Sequence, residues 1–181
     1  MDYNQYIKDA TRTESLIDEA ITSQKALAKA LKIFIKSAQI LDLFKREVFY
    51  KKDFSDDQIA VLLEEIHTLS TPNGATRGKD KIKVNPRILH ASLGFATEAG
   101  EIIEALVESM EGKDFDTVNF MEELGDINWY QAIAMDETGL NLEDTLDKNI
   151  NKLKARFPNK FSEKRAIKRS LSTERGILEG S

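Results

Sequence analysis

Two carboxylate pairs at helical spacing constrain this chain more than any other feature of its sequence. Glu98 and Glu101 lie in the stretch HASLGFATEAGEIIEAL, and Glu123 and Asp126 lie in FMEELGDIN. Each pair is i, i+3, so its members leave their helix on one side, about 60° apart around the axis. Between the two stretches runs EGKDFDT, whose Gly and Asp residues stop one helix and start another. Helices joined this way fold back antiparallel, and four acids then meet across one seam. Like charges so close repel strongly in a partly dry site, so a cation neutralises them or some stay protonated. Oxygen-only ligation favours a hard ion, Mg²⁺ first and Mn²⁺ as a substitute. A solvated helix face carries the same ExxE or ExxD pattern. What argues for a site is the company: Gly94, Ala96, Ala99, Gly100 and Gly125 flank the acids, with Leu93, Ile102, Ile103, Leu106, Leu124 and Ile127 beside them. That composition places the acids at the edge of a core.

The remaining chain is predicted to be all-α. Only Pro72, Pro86 and Pro158 interrupt it. Tyr3, Tyr6, Ile7 and Ala10 begin an amphipathic helix that continues or bends through Thr11–Ser15, with Leu16, Ile17, Ala20 and Ile21 resuming its apolar spacing. Gln24 to Tyr50 reads as one long helix, and Ser55-Asp56-Asp57 as the start of another that covers Ile59 to Leu69. Ser70 to Pro86, rich in Gly, Pro, Asn and Lys, is expected to be a mobile surface loop. Within it, Gly74 to Asp80 superficially suggests a phosphate loop. It has one residue too few between its glycines, Asp80 where Ser or Thr belongs, and no buried strand before it, so that reading is rejected. KKDF at Lys51 to Phe54 echoes GKDF at Gly112 to Phe115, either as a degenerate helical-hairpin repeat or by chance.

Beyond the acids, Tyr130 sits one turn after Asp126 on the same face. Tyr130 and its neighbour Trp129 either border a base pocket or fill the core. Asn149, Lys152 and Arg156 share a face of the next helix, where they could hold polyphosphate oxygens or simply complement the helix dipole. The tail from Ser162 is either an outer helix or an arm that packs on a partner subunit.

At 181 residues one substantial core is expected, in a single domain. A formal charge of −5 speaks against a nucleic-acid coating role, and no apolar run reaches the roughly 20 residues of a membrane span. The N-terminus lacks a secretory h-region, and the absence of cysteine removes disulfides, thiolate metal sites and a cysteine nucleophile. A reducing cytoplasm is the simplest home.

TEAGE, EELGD-x-x-WY and NINKLKARFPNKF, in this order and spacing, resemble the all-α nucleoside triphosphate pyrophosphohydrolase superfamily named after MazG, which includes dimeric dUTPases and dCTP pyrophosphatases. The resemblance covers His90 to Phe161 and is most like the small bacteriophage members, which would make a host cytoplasm the location. It implies a MazG-like helical bundle with residues 16–86 as an insertion, 90–161 as catalytic core and 162–181 as a C-terminal arm. It further implies Mg²⁺-dependent cleavage of a (deoxy)nucleoside triphosphate between its α- and β-phosphates, for nucleotide-pool control. On this likeness Glu98, Glu101, Glu123 and Asp126 hold the metal and carry catalysis. Asn149, Lys152 and Arg156 grip phosphate, Tyr130 and Trp129 line the base site, and the chain is a homodimer or dimer of dimers. The competing classes are a helical bundle that binds nucleotides or a protein without hydrolysis, and a hydrolase of another phosphorylated nucleotide such as a guanosine alarmone.

Overall fold

The computed structural model describes residues 2–71 and 78–180. Along the chain these form α1 (Tyr3–Thr11), β1 (Ile21–Thr22), α2 (Gln24–Tyr50), α3 (Asp56–Ser70), β2 (Asp80–Lys81), α4 (Pro86–Met110), α5 (Thr117–Thr138), α6 (Leu142–Arg156), α7 (Glu163–Ile167) and α8 (Leu171–Glu179). The fold is all-α, as its periodicity predicts. No helix among the described residues is long and apolar enough to cross a membrane. The chain divides into two compact units, Met1–Ala20 with Lys83–Leu146 and Ile21–Ile82 with Asp147–Ser181.

In the first unit α4 and α5 form an antiparallel hairpin, and α1 packs on α5. Asn85 caps α4 by accepting hydrogen bonds from the backbone N–H groups of Arg87 and Ile88, and Pro86 takes the first helical position. Asp116 caps α5 in the same way through Val118 and Asn119. The buried residues are mostly small: Ala10, Ala91, Ala105 and Ala132, joined by Ile133 and Met135. Small side chains at the contact allow closely spaced helix axes, and so bring groups on facing helices within reach of each other.

α1 is shorter than its apolar spacing predicts. The Thr11 hydroxyl bonds back to the Ile7 carbonyl, and the Thr13 hydroxyl to that of Ala10. The Trp129 indole N–H then donates to both the Ala10 carbonyl (3.1 Å) and Thr13 Oγ1 (2.9 Å). Side-chain bonds of this kind compete with helix propagation, and the chain leaves the helix there. Leu16, Ile17 and Ile21 are exposed and non-helical, contrary to the expected resumption, because the spacing was apolar without a face to bury.

The second unit holds a helical hairpin of α2 and α3, which pack on each other. Ser23 caps α2 by accepting from the Ala26 N–H. Lys36 pairs with Glu65 at 2.7 Å, and Lys29 donates to the Thr71 carbonyl. β1 and β2 pair antiparallel, Ile21 opposite Lys81 and Thr22 opposite Asp80. Part of the predicted surface loop is thus regular structure, and its end, Pro86, already belongs to α4. Pro72–Arg77, with most of the phosphate-loop-like stretch, lie outside the described residues. The tail forms α7 and α8, and buried Glu174 of α8 forms ion pairs with Arg156 and the exposed Arg169.

The two hairpins turn alike. Lys51 after α2 and Gly112 after α4 both have positive φ, 49° and 101°, and in each case the N-cap, Ser55 or Asp116, follows four residues later. The KKDF and GKDF echo thus marks one turn design used twice.

Arg87 is the strongest electrostatic tie of the first unit. Its guanidinium forks onto Glu14 through Nε and Nη2 (2.8–3.0 Å), and reaches Asp136 at 2.7 Å and Glu137 at 2.9 Å. The Glu14 side chain is only 1% exposed. Removing the arginine would leave that carboxylate buried and unpaired, which costs about 3–5 kcal/mol. Arg87→Ala is therefore expected to lower the urea midpoint reported by Trp129 fluorescence. Arg87→Lys should recover little, since an ammonium cannot reproduce the fork.

Candidate metal centre

The close packing of α4 on α5 brings three of the four acids together. One carboxylate oxygen from each of Glu98, Glu123 and Asp126 lies within 4.8 Å of the others. Glu98 is 9% and Glu123 4% exposed, while Asp126 stands at the open edge. Glu101 is exposed and outside this triad, but near enough for its charge to act on Glu123.

The electrostatics follow from that geometry. Burial, a hydrogen bond with Glu98 and the negative charges of Glu101, Glu98 and Asp126 push the Glu123 carboxyl up to about 7. No basic side chain is among the groups that act on it. Without a bound cation, then, Glu123 keeps a proton near neutral pH and shares it with Glu98. Thr97 adds a donor, its hydroxyl lying 3.2 Å from Glu98 Oε1 and 3.0 Å from the Gly94 carbonyl.

These residues fit a hard divalent ion. Ligand oxygens around one Mg²⁺ stand at most about 4.2 Å apart, given Mg–O near 2.1 Å, so small side-chain adjustments suffice to close the triad. A donor set made only of carboxylates, one of them protonated for want of a counter-charge, is also what such an ion neutralises.

Tyr130 borders the acids because Gly94 makes room for it. A Cβ at Gly94 would fall 2.2 Å from Tyr130 Cε1, so the ring lies directly on the α4 backbone. Burial first, then the charges of Glu98, Asp126 and Glu101, raise the phenol above its usual range, and it stays a donor. Gly100 and Gly125, which also flank the acids, have open space where a Cβ would be. Trp129 meets Tyr130 edge to face at 4.9 Å, and His90 meets both rings. Its indole N–H is directed at α1, as described above, so Trp129 holds that helix in place.

Sequence reasoning missed Tyr6 and Tyr3. The Tyr6 hydroxyl donates to the Gly125 carbonyl at 3.4 Å, and burial together with the Asp126 charge raises its pKa. The two rings stack at 5.8 Å and, with Asp2, Gly125 and Asn128, line a cleft of about 330 Å³. The Tyr3 hydroxyl is buried, with no hydrogen-bond partner among the described residues. The available signal was the i, i+3 spacing of two tyrosines, which one amphipathic helix explains equally well.

Asn149, Lys152 and Arg156 belong to the second unit, on the part of α6 beyond Leu146. Asn149 is exposed and Lys152 half-buried. Arg156 places Nε and Nη2 on the Glu174 carboxylate at 2.8 and 2.6 Å. Arg169 first, then Arg156, hold that carboxyl down at about 2. The fork of Arg156 is thereby engaged within the protein.

A search of curated proteins and a search of solved structures each returned no match to the chain. One family model does match, the MazG nucleotide pyrophosphohydrolase domain, over residues 90–161. That segment contains α5, nearly all of α4 and all of α6, with every acid of the cluster. Residues 90–161 are thus similar to a nucleotide pyrophosphohydrolase domain of the MazG type.

Proposed function

We propose that the protein hydrolyses a (deoxy)nucleoside 5′-triphosphate to the monophosphate and pyrophosphate with Mg²⁺, and so controls a cytoplasmic nucleotide pool. The observation that carries this reading is the convergence of Glu98, Glu123 and Asp126 on one point, with only acids among the described charged groups that act on Glu123. Glu98, Glu123 and Asp126 would hold the ion. When bound, it would neutralise phosphate charge and acidify a coordinated water. Glu123 gives up its proton as the metal site forms. Glu101, exposed and beside the triad but outside it, would orient the attacking water and accept its proton. Tyr130, kept protonated, donates toward charge that develops at the acid edge. The Tyr3–Tyr6 cleft is wide enough for a planar base. The role of Asn149 and Lys152 in gripping phosphate rests on the family match alone, with Arg156 acting through its pair with Glu174. Exposed Met110, Val118 and Met121 around the α4–α5 turn support self-association as well.

The test is pyrophosphate release from the eight common triphosphates with Mg²⁺. Glu123→Ala and Asp126→Ala are each expected to lower kcat by roughly 100-fold or more at unchanged helix content, as loss of a metal ligand should. Wild-type turnover in both would overturn the proposal, and nucleotide binding without turnover in the wild type would leave a binding protein.

Because the ion must displace the Glu123 proton, its apparent affinity should weaken about tenfold per pH unit below pH ~7, measured by calorimetry between pH 8 and 6. The sign reverses for stability of the metal-free protein. A carboxyl whose folded pKa is raised stabilises at low pH, so the melting temperature contributed by this group should fall as pH rises from about 4.5 to about 7.

Gly94→Ala forces the Tyr130 ring away from α4. It should reduce kcat/KM, and a variant that also carries Tyr130→Ala should lose little more, since the two changes remove the same contact.

A further inference from the structure

The formal charge of −5 conceals a local inversion in the second unit. From Lys148 to Arg169 the chain carries nine lysines and arginines against a single acid, Glu163. That acid is taken by Lys51, which follows α2, at 3.1 Å. Lys154, Lys160, Lys164, Arg165 and Lys168 are exposed and have no ion pair among the described residues. A basic helix end complements its own dipole within the last turn. For α6 that accounts for Lys154 and Arg156, but the run of cations continues past Pro158 into Lys160 and α7. Rings alternate with these cations. Phe157 and Phe161 lie 5.4 Å apart, and Tyr50 at the end of α2 meets Phe161 at 5.6 Å, the pairs tilted by 37° and 36°. The Arg156 guanidinium lies 5.7 Å from the Phe157 centroid. Phe161 is therefore the middle ring of three, where most cover is expected. Yet it is 51% exposed, while its two neighbours are half-buried.

We propose that this surface binds single-stranded nucleic acid, with Phe161 stacking on an unpaired base and the lysines and Arg165 around it contacting backbone phosphates. An open aromatic ring set among cations is what such a polymer needs, since any base stacks on a ring and the charge tracks the backbone. One stretch of chain supplies both. Lys160 precedes Phe161, Lys164 and Arg165 follow it, and Lys51 and Lys52 follow Tyr50. A duplex fits less well, because its base faces are stacked inside and closed to Phe161. An anionic bilayer also fits less well. A segment lying in that interface is a continuous amphipathic helix, whereas the cations from Lys160 to Lys168 span only the five-residue α7 and its flanks. The acidity of the remaining chain sets the strength. It repels a polyanion, so binding rests on this patch, is weak, and falls steeply with salt. The proposal goes beyond nucleotide hydrolysis, because it uses neither the acid triad nor its ion.

The test uses the full chain in EDTA, so that a metal-dependent site contributes nothing. Its probe is a 3′-labelled oligothymidylate of about 20 nucleotides with a 5′-hydroxyl, followed by fluorescence anisotropy at low salt. A dissociation constant of roughly 1–100 µM is expected. Phe161→Ala should weaken it about fivefold or more, as loss of one stacked base does. Lys160→Ala combined with Lys164→Ala should flatten the dependence of log affinity on log salt by about 1.4, at roughly 0.7 per phosphate contact of a single strand. Phe161→Trp keeps a ring and so guards against a tail that misfolds without one. Its affinity should match or exceed wild type, and the oligonucleotide should quench indole emission beyond any change in the Trp129 signal of the wild type. No binding by the wild type at roughly 100 µM protein, or unchanged affinity in Phe161→Ala, would overturn the proposal. So would absence of the added quenching in Phe161→Trp, or tighter binding to a duplex of the same length or to phosphatidylserine vesicles.

Discussion

The mutual repulsion of Glu98, Glu123 and Asp126 is the constraint to which the first unit answers. Three carboxylates at such separations oppose the approach of the helices that carry them, and the approach happens anyway. What overrides the repulsion is packing of small residues, Ala91 and Ala132 in the core and Gly94 under the Tyr130 ring, which gains dispersion contacts at short axial distance. Glu123 answers by holding a proton. The fold and the protonation state are thus two responses to one cost.

Around this centre, charge is balanced elsewhere with unusual care. Arg87 collects Glu14, Asp136 and Glu137 at the far end of the hairpin, and Arg156 with Arg169 satisfies buried Glu174 in the second unit. Each of these acids has a cation in hydrogen-bond contact. The acids of the triad have none among the groups that act on Glu123. The contrast within one chain is between carboxylates held by arginines and a triad whose buried member meets only other acids.

Much of this was legible in the sequence, and for identifiable reasons. The limits of α2 read correctly because Ser23 and Lys51 bracket an unbroken apolar period, whereas i, i+3 spacing fixes only the side of a helix an acid leaves from, so of the four acids expected at one seam three gather and Glu101 stands outside. The resemblance over His90 to Phe161 coincides with the family match. Leu16 to Ile21 misled because apolar spacing reports a tendency to be buried, not a surface to be buried against. The short β1–β2 pairing was invisible because it joins residues some sixty apart through two hydrogen-bonded steps. Tyr6 beside Asp126, and Arg87 with its three acids, depend on contacts between distant segments, which no local pattern encodes.

The matching turns at Lys51 and Gly112 bear on how such a protein acquires new surfaces. A connection defined by one left-handed residue and a cap four positions on is fixed by backbone geometry, and places almost no demand on the outward faces of the helices it joins. Those faces can then diverge at little cost to shape. In one hairpin they converge inward on a point of concentrated negative charge, and in the other they leave oily side chains such as Phe34 and Leu41 open to whatever lies outside.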